Sequence, residues 1–65
     1  MHLVINGSEE QSDSATLADL IDRKGLRRDS LVVELNGAIV RQQQWAATTL
    51  QDGDRVELLN FVGGG

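Results

Sequence analysis

Two Asn-Gly dipeptides, Asn6-Gly7 and Asn36-Gly37, constrain this chain more than any other feature. Both residue types accept positive φ, which a two-residue hairpin turn needs at both central positions. Each dipeptide follows a strand-like run. Residues 2–6 read H-L-V-I-N, with Leu3 and Ile5 spaced by two, and residues 31–36 read L-V-V-E-L-N. The spacing predicts strands with one buried face, each folding back at its Asn-Gly turn. The first return strand falls within 8–12, where Glu9, Glu10 and Gln11 suit an edge protected by charge. The second falls at 38–41.

Between the hairpins the period changes. Leu17, Leu20 and Ile21 stand at i, i+3 and i+4, one apolar stripe of a helix over 17–24. Ser14 or Thr16 can cap it, and Thr16 with Asp19 resembles a capping box. Arg23 and Lys24 place positive charge in the last turn, and Gly25 suits the left-handed position that ends a helix, with Leu26 folding back on the stripe. Residues 42–50 have no strand pattern and predict a short helical turn crossing the sheet. Its Trp45 reads as core rather than as a ligand platform, because the chain holds only one other aromatic residue. Gln51-Asp52-Gly53-Asp54 is a turn. Residues 55–61 form the last strand, with Val56 and Leu58 inward.

This order predicts an α+β domain: one helix across a mixed four- or five-stranded sheet, in two layers. It fits a β-grasp arrangement, in which the first and last strands lie side by side at the sheet centre. A small barrel of the SH3 or OB type is the alternative, and the early capped helix argues against it. Sixty-five residues make one domain, 1–62, with a tail at 63–65. A chain this short hides only about 60% of its unfolded surface.

Absences narrow the function. There is no cysteine, which excludes disulfides, thiolate nucleophiles and zinc–sulfur sites. The single histidine, His2, reads as a solvated strand residue. Six Lys and Arg against ten Asp and Glu leave a net charge of −4. An acidic chain with one Trp, one Phe and no Tyr has neither the phosphate-neutralising surface nor the stacking platform of a nucleic-acid binder. The longest apolar runs have three residues, against the ~20 that cross a bilayer. No basic stretch precedes an apolar block at the start, so no signal peptide is expected. An independent enzyme is not expected either, because small domains rarely form a cleft with convergent groups. The expectation is a cytoplasmic carrier, modifier or adaptor that binds no nucleic acid and no membrane.

The remaining chemistry lies at the end, Val62-Gly63-Gly64-Gly65. A glycine tail exposes the terminal carboxylate of Gly65. Three extended residues carry it about 10 Å from the globule. Without Cβ atoms, such a tail can thread a channel closed to other residues. Ordering it there costs on the order of 3–6 kcal/mol, so a docking surface must offset the loss. Leu59, Phe61 and Val62 are the apolar candidates beside the tail. Asp52, Asp54 and Glu57 lie near the same strand, where they either steer a basic partner or form a solvated face. A carboxylate becomes an acyl donor when ATP converts it to an acyl-adenylate. Attack by sulfide, or by sulfur from a persulfide, then yields a terminal thiocarboxylate.

The ending D-G-D-R-V-E-L-L-N-F-V-G-G-G, the segment V-E-L-N-G-A-I-V-R and the following Q-W-A-A-T resemble the ThiS family of sulfur carriers of thiamine biosynthesis. The resemblance spans the chain; it is tight over 33–47 and 52–65 and looser over 7–29. It implies a carrier that is a substrate of enzymes and binds no cofactor itself. An adenylyltransferase related to ubiquitin-activating enzymes would use ATP to activate Gly65. A sulfur-transfer enzyme would then replace AMP with sulfur, and thiazole synthase would receive it. Gly63 and Gly64 carry over as the threading residues, and Phe61 and Val62 as the apolar approach; Asn60 receives no role. Two rivals stand beside this reading. One is the related carrier of molybdopterin synthesis, whose chains tend to be longer and often carry proline before the tail. The other is a non-covalent β-grasp interaction module with an inert tail. The absence of proline here favours the thiamine carrier.

Overall fold

Asn6 and Gly7 take φ of 50° and 83°, and Asn36 and Gly37 take 52° and 88°. Both Asn-Gly dipeptides thus form hairpin turns of the primed type, whose twist matches that of the flanking strands. The structure, a computed structural model, describes residues 1–61. The first turn joins β1 (His2–Ile5) to β2 (Ser8–Gln11), and the second joins β3 (Leu31–Leu35) to β4 (Ala38–Val40). A last strand, β5 (Arg55–Asn60), completes a five-stranded sheet in the order β2-β1-β5-β3-β4. The pair β1–β5 is parallel and every other pair is antiparallel. β2 and β4 remain edges, so the sheet does not close into a barrel.

The helix α1 (Leu17–Arg23) bridges the two hairpins. Thr16 is its N-cap, with Oγ1 accepting from the Asp19 N–H at 3.1 Å. The return half of the capping box is displaced by one residue: Asp19 Oδ2 accepts from the Ala15 N–H at 3.3 Å. Ser14, the alternative cap, is fully buried, and its hydroxyl has no partner among the described residues. At the other end Lys24 is the C-cap and Gly25 takes φ 67°. The Leu26 N–H then donates to Ile21 O and the Gly25 N–H to Asp22 O, the paired bonds of a Schellman motif.

Leu3 and Ile5 from β1, Leu31 and Val33 from β3, and Val56 and Leu58 from β5 turn inward against Leu17, Leu20 and Ile21 of the helix. Residues 42–50 resolve into a 3₁₀ helix, Gln42–Ala47, and an extended return. The 3₁₀ segment packs beside α1 and drives Trp45 into the core, where it is 1% exposed. Its indole Nε1 donates to Val40 O at 2.8 Å, which meets the one polar demand of the ring. The return ties down the start of the helix: Leu17 N donates to Thr48 O at 3.0 Å, and Leu50 N to Ala15 O at 2.9 Å. The elements end one residue inside the predicted limits at Asn6, Lys24, Asn36, Arg41 and Phe61. At Asn6 and Asn36 the reason is the positive φ of the turn.

Candidate functional site: the open sheet face beside the chain end

One face of the sheet carries the helix and the other is open. Along β5, burial alternates: Val56 and Leu58 are inside, while Arg55, Glu57 and Leu59 project to the open side. The register places Leu59 opposite Val32 and Glu57 opposite Glu34, and Glu34 in turn lies opposite Ile39 on the edge strand β4. Phe61 follows Leu59 at the same two-residue step. Its N–H continues the ladder by donating to Ser30 O at 2.7 Å. Leu59 is 41% exposed, Phe61 58% and Ile39 68%. These three and Met1 are the large hydrophobic residues left exposed among those described. Clustered apolar exposure on one side of a small domain marks an interaction surface more often than scattered exposure does.

Leu59 is exposed on the open side of β5, and Phe61 is exposed one residue past its end. Val62, Gly63, Gly64 and Gly65 lie outside the described residues. Ile39 was not legible as part of the face. Only the β3–β4 register brings it across from Glu34, and its own run A-I-V-R does not show which side it faces.

The three acidic residues separate into two roles. Asp52 Oδ1 accepts from the His2 N–H at 2.7 Å. Asp54 accepts from Asn36 Nδ2 at 3.0 Å and from the Gln51 N–H at 2.8 Å. Asp52 thus fastens the turn before β5 to β1, and Asp54 closes that turn and ties it to the β3–β4 turn. Glu57 alone faces outward on the sheet. His2 Nε2 lies 2.7 Å from Glu9 Oε1, a contact across the first hairpin. Asn60 Oδ1 accepts from Ser30 Oγ at 3.0 Å, which braces the last strand against β3. Among the described residues no group of three His, Cys, Asp or Glu side chains is placed to hold a metal ion. No helix among them is long and apolar enough to cross a membrane.

The sheet order, the central parallel pair and the single bridging helix define a β-grasp domain with an open face next to its C-terminal segment. A family model described as the ThiS family matches residues 4–65. The chain belongs to the ThiS family, the sulfur carriers of thiamine biosynthesis. It is 32% identical to the sulfur carrier protein ThiS of Bacillus subtilis over 97% of this chain and 98% of that one. The crystal structure of the thiamine biosynthesis protein ThiS from Geobacter metallireducens superposes with a TM-score of 0.83 at 36% identity, covering all of both chains. The chain is also 39% identical to a thiazole synthase of Paramagnetospirillum magneticum, over its own full length. It spans only 20% of that protein.

Proposed function

We propose that this chain is a sulfur carrier, a protein substrate rather than an enzyme, whose reactive group is the carboxylate of Gly65. In this reading residues 1–62 form the docking domain and 63–65 the tail. An E1-like adenylyltransferase spends ATP to convert the carboxylate to an acyl-adenylate, with pyrophosphate leaving. Sulfide attacks the acyl carbon and expels AMP, leaving a terminal thiocarboxylate. Where a sulfur-transfer enzyme delivers the sulfur as a persulfide, the attack expels AMP to form an acyl disulfide. A second thiol then attacks that S–S bond, forming a disulfide and releasing the thiocarboxylate. Thiazole synthase then takes that sulfur. The carrier holds no cofactor of its own, and ATP enters with the adenylating partner. The setting is the cytoplasm, where that enzyme and its ATP would meet the carrier.

The observation that carries the reading is the family match, which includes the glycine end, together with the apolar face beside it. Leu59 and Phe61, with Val62, supply the contact that offsets the entropy of ordering Gly63 and Gly64 in a partner's channel. A domain of this kind makes up one fifth of the matched thiazole synthase, which supports that enzyme as a partner.

The test is mass spectrometry after incubation with ATP, a sulfide source and the cognate adenylating enzyme. The expected result is the mass gain of one sulfur replacing one oxygen, mapped to Gly65. A second chain with one residue added after Gly65 should remain unmodified. No adduct on the parent chain would leave a non-covalent module with an inert tail.

A further inference from the structure

The open face carries one energetic oddity. Glu34 and Glu57 stand directly opposite each other on β3 and β5. Side chains so placed have Cβ atoms about 4.5–5.5 Å apart, and like charges there destabilise a sheet. Of the other eight acids, only Asp13 also lacks an ion pair or side-chain hydrogen bond among the described residues. Glu9, Glu10, Asp19, Asp22 and Asp29 are each within ion-pair distance of a basic side chain. Asp52 and Asp54 are held by hydrogen bonds in the last turn. Glu34 and Glu57 have neither kind of partner among the described residues.

Basic residues are near but not engaged. Arg55 precedes Glu57 by two residues on the same face, and the register puts Arg41 diagonal to Glu34. Neither guanidinium reaches ion-pair distance of the two carboxylates. Apolar surface flanks the pair instead: Ile39 directly across from Glu34, and Leu59 two residues beyond Glu57. Glu34 is already half-buried. A protein surface laid over Ile39, Leu59 and Phe61 would exclude water from the two carboxylates. Their repulsion would grow unless the arriving surface brought a cation.

We propose that Glu34 and Glu57 together seat a guanidinium or ammonium group of the thiazole synthase that docks on this face. The inference rests on the docking reading above and extends it from apolar contact to charge recognition. Two opposed carboxylates offer several acceptor oxygens within reach of one planar guanidinium, which favours arginine. The free carrier tolerates the repulsion because water screens it. The complex relieves it with the partner's charge, and a partner without that charge is disfavoured.

The test pairs binding with stability in Glu34→Gln/Glu57→Gln and, separately, Leu59→Ala. Affinity for the cognate thiazole synthase is measured at low and high ionic strength, and thermal melting is followed on the free carriers. The double Gln variant should melt higher than the parent, because the repulsion is gone. It should bind about tenfold more weakly at low ionic strength, with a flatter salt dependence. Unchanged affinity overturns the inference, and so does a lower melting temperature, which would make the pair structural. Weakened binding to the adenylyltransferase alone also overturns it. If Leu59→Ala weakens binding while the double variant does not, only the cation seat fails. If neither variant changes affinity, the docking reading fails with it.

Discussion

The side chain of Asn6 holds both backbone groups of Leu58. Its Oδ1 accepts from the Leu58 N–H at 2.8 Å, and its Nδ2 donates to Leu58 O at 3.3 Å. β1 leaves the central parallel ladder at Ile5, where the chain turns. The amide of Asn6 takes the place of the next strand residue and extends the ladder along β5. Asn36 does similar work on the other side of β5: its N–H donates to Arg55 O at 2.7 Å, and its Oδ1 accepts from the Arg55 N–H at 2.9 Å. Each Asn-Gly turn thus closes a hairpin and clasps the strand that leads to the tail.

Asn6→Gly separates these two roles, because glycine keeps the positive φ and loses the clasp. The expected loss is about 1–3 kcal/mol in urea unfolding, since partly buried backbone groups of Leu58 lose their partners. Asn6→Asp should lose a similar amount, as a carboxylate cannot donate to Leu58 O. A neutral Asn6→Gly would show that water replaces the clasp at no cost.

Phe61→Ala tests the docking face. At 58% exposure Phe61 contributes little to the core, so stability should stay within about 0.5 kcal/mol of the parent. Affinity for the adenylyltransferase or the thiazole synthase should fall by about 2 kcal/mol, the cost of removing an aromatic anchor. A stability loss near the 3–5 kcal/mol typical of a buried Phe would instead make it core.

Gly64→Val tests the width of the partner's channel. The domain should melt like the parent, because the change lies beyond the last strand. Sulfur loading should stop, since a β-branched residue adds bulk and stiffens the tail. Loading at the parent's rate would leave the glycines without a threading role.

Trp45 is a built-in probe of the core. It is the only tryptophan and is 1% exposed, so its emission should be blue-shifted and should move red only on unfolding. A partner docking on the open face should leave it unchanged, because Trp45 packs beside the helix on the other side of the sheet. A shift on binding would place the contact on the helical side.

Most of the architecture was legible because its signals are local. The Asn-Gly pairs demand positive φ, the 17–21 stripe demands a helix, and Gly25 with Leu26 closes that helix, all within a few residues. The inward pair Val56 and Leu58 followed from simple alternation, and Trp45 from the scarcity of other aromatics. The family resemblance was legible because its segments are contiguous in the sequence: V-E-L-N-G-A-I-V-R covers most of β3, its turn and β4, and Q-W-A-A-T falls in the 3₁₀ helix and its C-cap.

Relations between strands were not legible, because register is a property of two segments at once. No reading of A-I-V-R alone puts Ile39 across from Glu34, and no reading of R-V-E-L-L-N alone puts Glu57 there on the other side. The acidic residues near the tail show the same limit. In sequence Asp52, Asp54 and Glu57 look like one cluster. The fold uses the first two as turn fasteners and turns only the third outward. The sequence by itself determined the elements and their order. Tertiary structure decided which side chains share the open face, because long-range pairing sets that outcome and leaves no local trace.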